Sequence, residues 1–181
     1  MTEDINSELK QIEDSKKDSR HFEPLYKKYY EQIVKFVYKR MENLDDCREV
    51  TSRVFTKAIL NIGKYKHMGF PFSSWLYRIA INEINQFYRD SKKTRAISID
   101  DTGAKYIAEE TGQQKADLLT ILSNALQHLE EDEIQLIELR FFDGKAFSEI
   151  GEILEITENN AKVRTYRIID KLRELFIKLD Q

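Results

Sequence analysis

Apolar side chains recur at helical spacing along most of this chain, and that periodicity limits the folds open to it. Two such stretches follow one another over residues 22–66, with a break near 43–46, and further stripes cover 75–87, 118–141 and 147–176. A spacing of about three to four residues is typical of amphipathic helices. Only six glycines and two prolines occur in 181 residues, so few positions favour tight turns. The sequence therefore predicts an all-α fold.

Residues 96–116 carry few large apolar side chains and show no sustained period, which is typical of a flexible linker. The prediction is thus two small helical domains, over 5–95 and 117–181, joined by that linker. A chain of 181 residues is long enough for two such domains. Within the second domain we expect Asp143 and Gly144 to end a helix, since glycine readily adopts a positive φ.

Charge is distributed unevenly along the chain, although the net charge is only −3. Residues 64–95 hold seven Lys or Arg against two acids, a local charge of +5, whereas 129–152 hold eight acids against two basic residues, a local charge of −6. A local basic surface can bind nucleic acid even in an acidic protein. No apolar run reaches the ~18 residues of a membrane span, and residues 1–20 lack a signal-peptide pattern, so we expect a cytoplasmic protein with no stable membrane insertion.

Neither a catalytic nor a metal-binding constellation can be recognised in the sequence. Cys47 is the single cysteine, and His21, His67 and His128 stand far apart. This pattern excludes an internal disulfide and gives no metal-ligand spacing. A glycine-rich phosphate loop and an HExxH motif are also missing. We therefore expect no enzyme activity, no cofactor and no metal, and we expect Cys47 to be a small buried helix residue.

The C-terminal segment has the pattern of a helix-turn-helix. A short apolar stripe over 147–154 is followed by a turn at Glu155 and Ile156 and by a longer amphipathic helix that begins at Thr157. Such a helix fits the major groove, where Lys, Arg and Asn can hydrogen-bond to base edges. On its outer face the candidates for base contacts are Asn159, Lys162, Val163, Tyr166 and Arg167, and the flanking candidates for phosphate contacts are Arg164 and Lys171. The same pattern would also suit an ordinary solvated helix surface.

The first domain contains an aromatic loop followed by a helix with a polar side. The loop, KYKHMGFPFSS over 64–74, interrupts the helical period, and Ser73 or Ser74 is expected to cap the next helix. The polar side of that helix carries Arg78, Asn82, Asn85 and Arg89, at steps of four, three and four.

These two motifs together resemble the conserved domains of bacterial extracytoplasmic-function (ECF) sigma factors, the small members of the sigma-70 family that lack the middle domain. FPFSSWLYRIAIN is similar to the family's aromatic, Trp-Leu-Tyr-Arg-Ile-Ala and Asn pattern in its first domain. FFDGKAFSEIGEILEITENNAKVRTYRI resembles the second domain, from its acidic turn to its recognition helix. The resemblance covers 22–95 and 118–178, and makes 5–95 a region 2-like domain and 117–181 a region 4-like domain.

The resemblance implies an RNA polymerase sigma factor that directs core polymerase to specific promoters. The region 4-like domain would recognise the minus-35 element, and the region 2-like domain would recognise and melt the minus-ten element. In melting, a base leaves the stack and enters a pocket formed by the aromatic loop, where stacking contributes about 1 to 3 kcal/mol. The corresponding minus-ten candidates are Tyr65, His67, Phe70, Arg78, Asn82, Asn85 and Arg89. Phe72 and Trp75 are expected mainly to pack.

The resemblance also implies partners. The segment DDCREVTSRVFTKA corresponds to the helix that binds the β′ coiled coil of core RNA polymerase, with candidate contacts Asp46, Glu49, Ser52 and Arg53. Ser52 and Arg53 stand where Gln and Glu are usual. Further expected partners are the β flap of the polymerase, promoter DNA and an anti-sigma factor. The helix-turn-helix segment also departs from the family pattern at two positions: Ala146 stands where a capping hydroxyl is usual, and Glu155 stands where glycine is usual. These departures predict a less stable helix start.

Other classes of protein remain open from the sequence alone. A polymerase-independent helix-turn-helix regulator would bind its operator without polymerase, but it would leave the first domain without a role. A decoy that occupies the sigma site without reading promoters would bind polymerase and yield no transcript.

Overall fold

The computed structural model describes residues 2–41, 43–91, 101–112 and 118–179. Within these ranges the chain is helical and contains no strand, which confirms the all-α prediction. The chain divides into two compact units, Met1–Ser98 (the first unit) and Ile99–Gln181 (the second unit). The expected pair of small helical domains is therefore present.

Helices of the first unit enclose a core of aliphatic and aromatic side chains. Its α-helices are α1 (Thr2–Lys17), α2 (Glu23–Tyr38), α3 (Leu44–Asn61) and α4 (Phe72–Ser91), and its 3-10 segments are Ser19–Phe22 and Ile62–Lys64. Helices α2, α3 and α4 pack on one another. Leu25, Val54 and Leu76, one from each of these helices, are fully buried. Cys47 is buried in α3 as expected, and this burial raises the pKa of its thiol.

Helix α1 was not recognised from the sequence, because most of its residues are charged or polar. Its packing side includes Ile12 and Glu8. Ile12 is 1% exposed, and the Glu8 carboxylate accepts a hydrogen bond from the Tyr29 hydroxyl and pairs with Lys28 Nζ at 2.8 Å. A polar sequence thus forms a packed helix in which Ile12 is buried and the Glu8 carboxylate is bound by side chains of α2.

Aromatic rings attach the loop before α4 to the core. Phe72 is 1% exposed, and its ring lies 5.1 Å from that of Tyr65, 5.3 Å from that of Trp75 and 5.6 Å from that of Tyr29. The expected packing role of Phe72 is therefore confirmed. The expected cap is wrong, since α4 begins at Phe72 and the N–H of Ser74 already donates to the Pro71 carbonyl at 2.9 Å.

The second unit is built around its long C-terminal helix. Its α-helices are α5 (Asp101–Thr111), α6 (Leu118–Leu126), α7 (Glu131–Ile137), α8 (Phe147–Leu154) and α9 (Glu158–Leu179), and a π-helical turn, Glu138–Phe142, follows α7. Helices α5, α6, α7 and α8 all contact α9. Leu172 and Ile169 of α9, Ile137 of α7 and Ile150 of α8 are fully buried.

Helix α5 corrects the expectation of an irregular linker over 96–116. It packs within the second unit, with Ala104, Ile107 and Ala108 buried. A Cβ atom at Gly103 would lie 1.8 Å from Cδ1 of Phe142, so this helix and the π-helical turn approach closely. A stripe made mostly of small residues gives little periodic signal in a sequence. Residues 92–100 and 113–117, which include the rest of the expected linker, lie outside the described residues.

The turns of the second unit follow the predicted pattern. Gly144 has φ +64° after the π-helical turn, as expected for the end of that helical stretch. Ala146 precedes α8 without a side-chain cap, and Glu155 follows α8 with φ 58° in the left-handed region. Thr157 Oγ1 accepts a hydrogen bond from the Asn160 N–H at 3.1 Å and so caps α9.

The substitution Glu155→Gly should raise the free energy of unfolding by about 1 kcal/mol, because a Cβ atom is unfavourable at this left-handed backbone position. Glu155→Ala retains the Cβ atom and should give no such gain. Urea denaturation of the full chain measures both changes. Equal stabilisation by the two substitutions would show that the carboxylate, and not the backbone, is the unfavourable feature.

Gly103→Ala should lower the free energy of unfolding of the second unit by about 1 to 3 kcal/mol, because the added methyl group collides with the Phe142 ring. Lys105→Ala, on the exposed side of the same helix, should change stability little. Adding Phe142→Leu to Gly103→Ala should recover part of the loss. An unchanged unfolding curve for Gly103→Ala would contradict the packing of α5.

Candidate nucleic-acid interface

Helices α8 and α9 form a tight helix-turn-helix. A Cβ atom at Gly151 of α8 would lie 2.7 Å from the Ile156 carbonyl oxygen, so the turn passes directly against α8. Ile150 and Ile153 of α8 are buried, and so is the inner stripe of α9. Of the residues predicted for that stripe, Ala161, Ile168, Leu172 and Phe176 are buried, and Leu175 is half-buried.

Opposite this stripe, α9 presents the predicted base-edge candidates on one face. Asn159, Lys162, Val163, Tyr166 and Arg167 are all exposed. The Tyr166 ring leans on Phe147 of α8, with 6.3 Å between ring centroids, which fixes its direction. Lys162 and Arg167 have no acidic partner within the part of the chain that the structure describes. Two cations, an amide and an aromatic hydroxyl are therefore available together at this face.

The two flanking cations of α9, Arg164 and Lys171, are paired with carboxylates. Arg164 pairs with Asp132 through Nη2 and Oδ2, and Lys171 Nζ lies 2.6 Å from Glu133 Oε2. Both acids belong to α7. The two cations predicted to contact phosphates thus already have carboxylate partners, and sequence analysis could not identify pairs whose members are 32 and 38 residues apart.

In the first unit, a pocket of about 300 Å³ opens where the end of α3, the turn at Ile62–Lys64 and the start of α4 meet. Its lining residues are Lys57, Asn61, Lys64, Trp75, Ile79, Asn82 and Glu83. Asn82 is exposed at its rim and is the predicted minus-ten candidate that lines it. The pocket therefore combines an indole, two amides and two ammonium groups.

Six of these seven pocket residues were not predicted as site residues from the sequence, and Trp75 was expected mainly to pack. The sequence held one signal for three of them, because steps of four and three place polar side chains on one helical face. These residues are Lys57, Asn61 and Lys64. Asn61 Nδ2 donates to the Lys57 carbonyl at 2.9 Å. Glu83 is 3% exposed and pairs with Lys57, which compensates for burying its carboxylate. The ion pair also holds Lys57 at the pocket.

The loop candidates differ from one another. Tyr65 is 7% exposed, its ring packs on Phe72 and Trp75, and its hydroxyl lies 3.5 Å from His67 Nδ1. This burial leaves little of the Tyr65 ring open to an unstacked base, and its role at the minus-ten element stays a prediction. His67 is exposed and Phe70 is half-buried.

The remaining minus-ten candidates lie on α4 with Asn82. Arg89 is exposed near the end of this helix, and its Nη2 donates to Gln86 Oε1 at 2.9 Å. Arg78 and Asn85 are half-buried and have interactions of their own within the first unit. The structure thus places all four predicted side chains on one helix, with Asn82 at the pocket.

The predicted polymerase-binding residues all lie on α3. Asp46 accepts a hydrogen bond from Asn43 Nδ2 at 2.8 Å, within the N-terminal cap of that helix. Glu49 and Arg53 form an ion pair one turn apart, and Ser52 is exposed. Arg53 therefore neutralises part of the acidic character expected for this face.

Among the described residues, no three or more His, Cys, Asp or Glu side chains are grouped to hold a metal ion. In the same ranges, no helix is both long enough and apolar enough to cross a membrane.

Comparison with known families identifies two matching models that together cover well over half of the chain. Sigma-70 region 2 matches residues 25–94, and Sigma-70, region 4 matches residues 125–174. The first match includes the pocket and α4, and the second includes the helix-turn-helix.

Individual relatives agree with these family matches. The ECF RNA polymerase sigma factor BldN of Streptomyces coelicolor is 26% identical over 160 residues, which are 85% of this chain and 60% of BldN. The ECF RNA polymerase sigma factor SigW of Bacillus subtilis is 26% identical, over 94% of this chain and 95% of SigW. CnrH, solved in complex with the cytosolic domain of CnrY, shares the fold with a TM-score of 0.59 at 19% identity, over 94% of this chain and 97% of that one. The chain therefore belongs to the sigma-70 family, as an RNA polymerase sigma factor of the ECF group.

Proposed function

We propose that the two units of this sigma factor divide promoter recognition, with α9 reading the minus-35 element and the pocket beside α4 accepting a base of the minus-ten element. The observation that carries the proposal is the exposed face of α9, where Lys162 and Arg167 stand without acidic partners in the described ranges while the opposite face is buried.

For the minus-35 element, the residue types on this face suit the major groove. Lys and Arg donate to the O6 and N7 acceptors of guanine, and Asn pairs with adenine. Thr157 caps the N-terminus of α9, whose remaining free N–H groups and positive dipole favour a nearby phosphate. Arg164 and Lys171 would contact phosphates on the flank. Together these groups give both orientation and sequence preference.

For the minus-ten element, the pocket has the features that bind an unstacked base. Trp75 supplies an aromatic surface, and Asn82 and Asn61 supply amides for the pairing edge. His67, Phe70, Arg78, Asn85 and Arg89 would contact the strand around it. Tyr65 would then act indirectly, by fixing the loop through its packing on Trp75.

We propose that recruitment to promoters depends on core RNA polymerase, through the exposed face of α3 and the β′ coiled coil and through the second unit and the β flap. Because both units lie on one chain, engagement of either raises the effective concentration of the other at the promoter. The complex of CnrH with the cytosolic domain of CnrY supports a comparable protein partner, an anti-sigma factor, for this chain. The chain would act in the cytoplasm with its polymerase and would have no catalytic activity of its own.

Lys162→Ala and Arg167→Ala should each weaken use of the minus-35 element by about 1 to 3 kcal/mol, since each removes a base-edge donor. Run-off transcription with purified core polymerase, on promoters with intact and scrambled minus-35 elements, measures this effect. Glu174→Ala, an exposed substitution farther along α9, is the matched control. Equal losses on both promoters would show that the two side chains contact phosphates only, and the minus-35 assignment to these residues would be withdrawn.

Asn82→Ala should reduce promoter opening more than initial binding, because the amide is needed only when a base has left the stack. Permanganate footprints of the melted region report opening, and gel-shift assays with the holoenzyme report initial binding. Asn6→Ala removes an exposed amide of α1 that does not line the pocket and should leave opening unchanged. Footprints of normal intensity with Asn82→Ala would contradict the role of the pocket.

A further inference from the structure

The two ion pairs between α7 and α9 lie one after the other along α9, the helix proposed to recognise the minus-35 element. Arg164 and Lys171 are separated by about two helical turns and so lie on the same side of α9. Their partners, Asp132 and Glu133, are adjacent in the first turn of α7. One flank of α9 is therefore lined by carboxylates of the same unit.

The Glu133 carboxylate is held in place by the start of its own helix, α7. Glu133 Oε2 accepts a hydrogen bond from the Glu130 N–H at 2.9 Å, as part of a capping box at the start of α7. The same oxygen accepts from Lys171 Nζ at 2.6 Å. The carboxylate is thus positioned by its own helix, and Lys171 reaches it.

Both pairs are accessible to a DNA backbone. The side chains of Arg164 and Asp132 are 34% and 62% exposed, and those of Lys171 and Glu133 are 39% and 23% exposed. Ion pairs at such exposure are weak, because water competes for both partners. A phosphate can therefore replace each carboxylate when other contacts hold the duplex close.

We propose that Asp132 and Glu133 are specificity-determining residues, which occupy Arg164 and Lys171 in place of phosphates until base contacts form at the promoter. The inference rests on the proposed role of α9 at the minus-35 element. Lys162 and Arg167 have no such acidic partner in the described part of the chain. The side chains that would bind base edges are therefore available first, whereas the side chains that would bind any phosphate stay paired with carboxylates.

Counterion release gives this arrangement a measurable consequence. A free cation that neutralises a phosphate of duplex DNA releases about 0.9 of a counterion. A cation that leaves a carboxylate for a phosphate exposes that carboxylate, which recruits a cation from solution, so the net release falls. Arg164 and Lys171 should therefore add little to the affinity for non-promoter DNA or to its salt dependence.

The test is the salt dependence of binding to a non-promoter duplex by the full chain, measured by fluorescence anisotropy. Asp132→Asn with Glu133→Gln should tighten this binding and steepen the slope of log K against log salt by about 1 to 2. Glutamine is also accepted at this position of a capping box, so α7 should keep its start. In the holoenzyme, the same double variant should lose part of its preference for promoter over non-promoter DNA.

The matched control removes two acids that are not paired with these cations. Glu109→Gln with Glu174→Gln, at exposed positions of α5 and α9, changes the net charge equally and should leave the slope close to that of the unmodified chain. Adding Arg164→Gln and Lys171→Gln to the Asp132→Asn, Glu133→Gln chain should abolish the additional slope. An equal increase in the control, or an unchanged slope in the double variant, would overturn the proposal.

Failure of this proposal can be distinguished from failure of the proposed function. If the unmodified holoenzyme did not discriminate intact from scrambled minus-35 elements, the role of α9 would be wrong whatever the acids do. If it discriminates and the slopes of the double variant and the control coincide, only the role of Asp132 and Glu133 is wrong.

Discussion

Burial of one apolar stripe on α4 and of one on α9 is the constraint on which the rest of the structure depends. Ala161, Ile168 and Leu172 are buried along α9, and Leu76 and Ile84 along α4. Because side chains point around a helix at a fixed angular step, burial of this stripe determines which residues face outward. The outward-facing polar groups of α4 and α9 are therefore directed first by hydrophobic packing on the opposite side of each helix.

This dependence explains what could be predicted from the sequence. The helix-turn-helix was recognisable because the inner stripe of α9 is regular and its start has a capping threonine, so the outward direction of Lys162 and Arg167 followed from the helical period. Asn82 was placed on the polar side of α4 by the same reasoning. Where large apolar residues recur at helical spacing, one sequence is enough to assign the exposed face.

Other features depend on contacts between distant parts of the chain. Helix α5 packs through small residues against the Phe142 ring, a partner that no local pattern indicates. Tyr65 in an aromatic loop is equally compatible with packing and with exposure, and the rings of Phe72 and Trp75 decide for packing. The partners of Arg164 and Lys171 are likewise visible only once α7 has been placed beside α9.

Gly151 allows the turn of the helix-turn-helix to lie directly against α8. Since even one β-carbon there would meet the Ile156 carbonyl oxygen at 2.7 Å, the tilt of α9 relative to α8 is set by the missing side chain. A methyl group at this site would force α8 or the turn at Ile156 to shift. The angle between α8 and α9 in the helix-turn-helix thus depends on the absence of a side chain at Gly151.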